Sequence, residues 1–203
     1  MGEELPSHAI RLPDNGYLDL AQLFDAKQRL YHLEIGFGAG EHLAALAARY
    51  PEIGYVGCEP FINGVAKLVS VIEQQQLQNV RIHADDARLL IEKLPAASID
   101  KVYILFPDPW PKQRHHKRRI VSMQMLSMLA RIQPSGGCLQ LATDHVDYGA
   151  WMLEKLLAHP DYEWIAESQT DWINPPVDWV ETRYQQKTMR EGRIPLFIKA
   201  RRR

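Results

Sequence analysis

The chain has 203 residues, with 24 lysines and arginines against 25 aspartates and glutamates and a formal net charge of −1. That length supports one domain with a real core. The near-neutral balance excludes a general polycation, so any attraction to nucleic acid must come from local patches. Neither the opening MGEELPSHAIRL nor any later stretch has the apolar run of a signal core or a membrane span. Cys58 and Cys138 stand in apolar surroundings, outside any CxxC pair, and read as buried free thiols in a reducing cytoplasm.

Residues 1–29 are the least periodic and are set apart as an N-terminal segment; residues 30–203 form the domain. From Leu30 onward, short β-branched apolar runs alternate with segments of helical period. The predicted order is strand Leu30–Ile35, helix Glu41–Tyr50, strand Tyr55–Cys58, helix Phe61–Gln75, strand Val80–His83 and helix Ala87–Leu94. Then follow strand Ile99–Phe106, helix Arg119–Ile132, strand Cys138–Thr143 and helix Tyr148–Ala158. Glu163–Gln169 and Leu196–Ala200 read as two last strands joined by a long polar loop. Ile99–Phe106 is almost continuously apolar, as befits a strand covered by helices on both faces. The alternation predicts a single-domain, doubly wound α/β fold with a mostly parallel, seven-stranded sheet. In such sheets ligands bind beyond the carboxyl ends of the strands.

Each strand end carries chemistry. After the first comes Glu34-Ile-Gly36-Phe-Gly38-Ala-Gly40. Glycines let the backbone turn sharply and approach a ligand, and the following helix offers free N–H groups. The pattern is GxGxG rather than the dinucleotide GxGxxG. A carboxylate beside the turn suits a cation, and S-adenosylmethionine carries a sulfonium and an ammonium but no phosphate. Glu59 follows the second strand at the spacing at which an acid meets ribose hydroxyls. At Asp85-Asp86, Asp86 either meets the adenine amino group or caps the next helix. Asp144, after the fifth strand, is either a substrate contact or another helix cap.

The fourth strand runs into FPDPWPKQRHHKRR. Pro107, Pro109 and Pro111 stiffen the turn and display Asp108 and Trp110. Lys112, Arg114, His115, His116, Lys117, Arg118 and Arg119 form a cationic patch fit to neutralise nucleic-acid phosphates. Positive charge at a helix start opposes the macrodipole, so helix stability does not account for it. The two histidines are patch members rather than metal ligands. His32, His42 and His83 read as structural, and Trp172 and Trp179 as packing. In Thr182-Arg183-Tyr184-Gln185, the polar side chains can bond base edges and Tyr184 can stack.

The succession LEIGFGAG, GCEP, ADDARLL, FPDPWPKQRHHKRR, LATDHVDYGAWM and ETRYQQKTMREG resembles the bacterial tRNA (guanine-N7)-methyltransferases, from about residue 30 to the end. The resemblance implies a Rossmann-like class I methyltransferase fold. It implies S-adenosylmethionine as donor and the variable-loop guanine, position 46, of tRNA as acceptor, in a monomer or homodimer with neither metal nor membrane. By motif, Glu34, Gly36, Gly38, Glu59, Asp86 and Asp108 belong to the cofactor site, with Asp108 also catalytic. Lys112, Asp144, Thr182, Arg183, Tyr184 and Gln185 belong to the substrate, and Arg114, His115, Lys117, Arg118 and Arg119 to the RNA backbone. The chain departs from the family pattern in a shorter, mildly acidic stretch before Leu30 and in Gln185, where the family carries glutamate.

Overall fold

The computed structural model describes residues 8–24 and 28–203. Seven strands form one sheet in the order β3-β2-β1-β4-β5-β7-β6. They are β1 (Leu30–Ile35), β2 (Ile53–Cys58), β3 (Val80–His83), β4 (Lys101–Leu105), β5 (Cys138–Thr143), β6 (Tyr162–Trp164) and β7 (Leu196–Arg202). The strands β1 to β5 run parallel, and β7 runs antiparallel to both β5 and β6. The mostly parallel, doubly wound sheet expected from the alternation is what forms.

Burial explains the two faces. Leu33, Ile35, Val56, Val102, Ile104, Leu139, Leu141 and Ile198 alternate along their strands into one apolar cluster. Against it pack α4 (Ala87–Lys93), α5 (Met123–Ile132) and α6 (Val146–Ala158), through Leu90, Leu126 and Met152 among others. Truncating a fully buried leucine such as Leu33 costs about 2–5 kcal/mol. On the opposite face, α2 (Glu41–Arg49) and α3 (Ile62–Gln75) seat Leu43, Leu46, Leu68 and Ile72 against Tyr55, Val80, Ile82 and Tyr103. Beyond α2 this face turns polar, with Lys101, Gln140 and Lys199 flooring a cavity of about 450 Å³ under residues 165–179.

The described part of the opening segment joins the same body. Ile82 N–H donates to the His8 carbonyl at 2.7 Å and Ile10 N–H to the Ile82 carbonyl at 2.8 Å, extending the β3 edge. Leu18, Leu20 on the short helix α1 (Leu20–Leu23), and Phe24 are buried in the first cluster. Residues 1–7 and 25–27 lie outside the described residues. Among the described residues no helix is long and apolar enough to cross a membrane.

Three elements differ from expectation. The strand foreseen at 163–169 is the short β6, followed by α7 (Thr170–Ile173). The loop before β7 contains α8 (Arg183–Arg190), capped by Thr182, whose Oγ1 accepts from Gln185 N–H at 3.3 Å. Gln185 and Thr188 are its buried positions, so no apolar stripe announced it. The helix foreseen from Arg119 begins at Met123, where Ser122 Oγ accepts from Met125 N–H at 3.2 Å. The cationic run instead forms a 3-10 helix, Gln113–Arg118, so it is not the start of α5 and the macrodipole argument falls away.

Candidate functional site at the carboxyl rim of the sheet

The glycine loop between β1 and α2 takes a left-handed path, with φ of +74° at Gly36 and +57° at Gly38. Among the described residues, no atom beyond the adjoining ones in the chain lies within 4 Å of where a Cβ would stand at either, which leaves open space beside the loop. Glu59 fixes the loop from the end of β2. Its Oε2 accepts from Gly38 N–H at 2.9 Å and its Oε1 from Phe61 N–H at 3.0 Å. Gly64 permits this closeness, since a Cβ there would overlap the Gly38 carbonyl oxygen.

Glu34 is buried at the end of β1, 5% exposed, with its Oε2 2.7 Å from His42 Nδ1. His42 is held between the rings of Tyr103, at 4.9 Å, and Trp179, at 5.5 Å. A cavity of about 400 Å³ opens above this pair, lined by Glu34, Gly36, Gly38, Glu41, His42, Lys67, Phe106 and Thr182–Tyr184. That volume is within the range of small-molecule sites. A carboxylate at its floor and bare backbone at its wall suit a cationic ligand that lies against the turn.

Asp86 and Asp144 had two readings each, and the structure shows which of them caps a helix. Asp86 caps α4: its Oδ1 accepts from Arg88 N–H at 2.9 Å and its Oδ2 from the Arg88 guanidinium at 2.7 Å. Its neighbour Asp85 accepts from the Asp86 N–H at 2.7 Å. Asp144 caps nothing, because α6 is capped by His145, whose Nδ1 accepts from Tyr148 N–H at 3.4 Å. Asp144 is buried instead, with Arg193 Nη1 2.5 Å from one carboxylate oxygen and the Tyr184 hydroxyl 3.5 Å from the other. Burial and the Asp144 charge raise the Tyr184 phenol above its ordinary value.

The loop after β4 is bracketed by strain. Phe106 has φ of +50° and Trp110 of +42°, both left-handed and neither a glycine. Such residues cost roughly 1–3 kcal/mol each and persist only where their surroundings hold them. Phe106 N–H is bound to the Ala142 carbonyl at 2.8 Å, and its ring meets Tyr184 at 5.3 Å. The Trp110 ring lies 4.7 Å under the Arg118 guanidinium, with His115 edge-on at 5.9 Å. Asp108 is displayed, exposed, between these two fixed points.

Lys112, Arg114, Lys117 and Arg118 are exposed on one shoulder of this loop, and His115 is half-buried. Two residues grouped with the RNA or the base stand elsewhere. Arg119 is 3% exposed, bound to Pro109 and Asp147, and is not available to a phosphate. Gln185 is 5% exposed and faces inward, its Oε1 accepting from Trp179 Nε1 at 2.6 Å, so it does not face a base. Thr182 is spent as the cap of α8, while Arg183 and Tyr184 reach the cavity mouth.

Sequence reasoning set His42 and Trp179 aside as structural and passed over Glu41, Lys67 and Arg193. His42 and Glu41 open the helix that follows the glycine turn, a position that carries its own signal. Trp179 and Arg193 come from distant loop positions and had none.

The chain is similar to known proteins in sequence and in fold. The family model described as "Putative methyltransferase" matches residues 28–196. The tRNA (guanine-N(7)-)-methyltransferase of Roseobacter denitrificans is 48% identical over 186 residues, 92% of this chain and 78% of the relative. That of Bartonella quintana is 43% identical over 196 residues, 96% of this chain and 84% of the relative. Among solved structures, TrmN from Thermus thermophilus superposes with a TM-score of 0.62 at 16% identity, over 91% of this chain and 47% of that one. The 16S rRNA methyltransferase KamB superposes at 0.61 and 14% identity, over 93% and 94%. At these identities the two structures speak for the fold alone, which is that of Rossmann-like methyltransferases. By the family model and by these relatives, the chain belongs to the tRNA (guanine-N(7)-)-methyltransferase family.

Proposed function

We propose that the protein transfers a methyl group from S-adenosylmethionine to N7 of the variable-loop guanine, position 46, of tRNA. One observation carries the reading. Glu34, Glu59, Asp86, Asp108 and Asp144 all gather at the carboxyl rim of five successive parallel strands, and the exposed cations of the 3-10 helix adjoin them.

The residues fit the donor. The space beside Gly36 and Gly38 admits it, and Glu34 offers a buried carboxylate to its ammonium. Glu59 keeps lone pairs for ribose hydroxyls beyond its two backbone bonds, and Asp86 stands near the adenine end. What the bound donor supplies is a sulfonium methyl. Held there, it would let the N7 lone pair form the C–N bond as the C–S pair returned to sulfur, and the positive charge would pass to the purine.

No base is needed, because N7 already carries its lone pair. The protein's part is therefore positioning and charge. Asp108, rigidly displayed, stands beside the purine as it turns cationic, which favours the transition state over the neutral ground state. Lys112, Arg114, Lys117 and Arg118 hold the flanking phosphates, with Trp110 and His115 shaping that shoulder. Arg183, Tyr184 and Asp144 close around the base, while Gln185 and Thr182 set the pose of α8. Drawing the guanine out of its stack costs roughly a few kcal/mol.

The test is incubation with labelled S-adenosylmethionine and an unmodified tRNA transcript, followed by chemical cleavage at N7-methylguanine. Label at position 46, lost when that guanine is replaced by adenine, is the expected result. Label elsewhere, or none, overturns the reading.

A further inference from the structure

Arg119 closes the cationic run, yet its guanidinium is interior while Arg118 beside it is exposed. Its Nε donates to the Pro109 carbonyl, ten residues back, at 2.9 Å. Its Nη2 donates to Asp147 Oδ2 at 2.5 Å, on the first turn of α6. The guanidinium carbon lies 4.9 Å from the Tyr148 ring centre and 5.1 Å from that of Trp151. Trp151 Nε1 in turn donates to the Val121 carbonyl at 2.8 Å, closing the frame on the far side.

Pro109 sits between Asp108 and the left-handed Trp110. A bond to its carbonyl fixes the Pro109–Trp110 peptide, and the rigid proline ring carries that restraint back to Asp108. Arg119 joins that peptide to Asp147 on α6. A planar fork can donate in two directions while lying against two rings; a lysine ammonium cannot do all three. A buried cation also needs each of these partners. A residue so enclosed has no face left for an RNA phosphate.

We propose that Arg119 is a positioning residue for methyl transfer. It ties the Pro109 carbonyl to α6, thereby sets where the Asp108 carboxylate stands against the acceptor purine, and takes no part in gripping the RNA backbone. This rests on the reading that places Asp108 at the reacting base.

The experiment compares the wild-type protein with Arg119→Lys, Arg119→Met and Asp147→Ala. It measures single-turnover methylation at saturating tRNA and donor, donor affinity, and tRNA affinity over a salt series. Displacing a reacting group by about 1 Å costs on the order of 100-fold. The two Arg119 variants are expected to lose about 10-fold or more in the single-turnover rate, and Asp147→Ala about threefold. Donor affinity and the slope of tRNA affinity against salt should stay as in the wild type. A wild-type rate in Arg119→Lys overturns the proposal. So does a salt slope flatter by about 0.7–0.9, the signature of one lost phosphate contact. Should the Arg119 variants fail to fold, Asp147→Ala decides alone, because its carboxylate is 62% exposed; an unchanged rate there overturns the proposal. Absence of N7 methylation by the wild-type protein instead overturns the functional reading, and the role of Arg119 with it.

Discussion

Glu41, the first residue of α2, holds Arg183, the first residue of α8. The Arg183 N–H donates to Glu41 Oε2 at 2.7 Å, and its Nε stands 3.0 Å from Oε1. The two helix starts face each other across the mouth of the glycine-loop cavity, and this pair is the joint between them. The Arg183 side chain is 91% exposed, so the pair contributes under about 1 kcal/mol to stability. Glu41→Ala should therefore lower Tm by no more than about 2–4 °C. Donor affinity should fall several-fold, because α8 is no longer held over the cavity. Calorimetric titration checks this; unchanged donor affinity removes the joint from ligand binding.

Asp108 should matter to rate and little to affinity. Asp108→Asn keeps the shape of the side chain but withdraws its charge from the purine. A loss of about 100-fold or more is expected in single-turnover methylation, with tRNA affinity within about twofold of wild type. A variant that turned over normally would take Asp108 out of the mechanism.

The exposed cations should behave as phosphate contacts. Replacing Arg114, Lys117 and Arg118 together with alanine should flatten the log–log dependence of tRNA affinity on salt by about 2–3. The folded state should barely notice, since all three side chains are exposed. Arg118 has the added duty of covering Trp110, so its single replacement should also slow transfer modestly. Filter binding across a salt series would register an unaltered slope if the RNA runs elsewhere.

Stability should fall on acidification near neutrality. Burial, and secondarily the Lys101 charge, push His32 down to about 4. Burial likewise lowers His8, His83 and His159. These imidazoles are held neutral in the folded chain, whereas the unfolded chain protonates near pH 6.5. Their contribution is full above that pH, drains away as the pH falls through it, and levels off below the folded-state values. Between pH 7.5 and 5, His32 alone accounts for about 1–2 kcal/mol. The urea midpoint should fall over that interval, and His32→Gln should fall less. Equal slopes for the two proteins would place the effect elsewhere.

Periodicity carried the sheet because burial on both faces leaves long apolar runs, as in Val102, Ile104, Leu139 and Leu141. The strand-end acids were legible because chain order alone puts Glu34, Glu59, Asp86, Asp108 and Asp144 on one rim. What a side chain does there was not. Arg119 reads as the last of a charged run, but the 3-10 helix ends at Arg118 and the chain turns, aiming the next residue at α6. Gln185 reads as a polar loop residue, but Thr182 starts a helix there and rotates the amide onto Trp179. Both outcomes depend on tertiary partners dozens of residues away or on local winding, neither of which apolar spacing encodes.

The reversed direction of β7 has a practical corollary. Its first residue, Leu196, pairs with Thr143 at the reactive end of β5, and Arg201 pairs with Cys138 at the opposite end. Five steps of extended chain place the two ends about 17 Å apart. The terminal arginines are anchored at that remote pole, where Arg202 Nε donates to the Ala130 carbonyl at 3.0 Å and Arg203 Nη1 to the Pro160 carbonyl at 3.0 Å. A purification handle or fluorescent label joined after Arg203 thus hangs from the underside of the molecule, clear of an incoming tRNA.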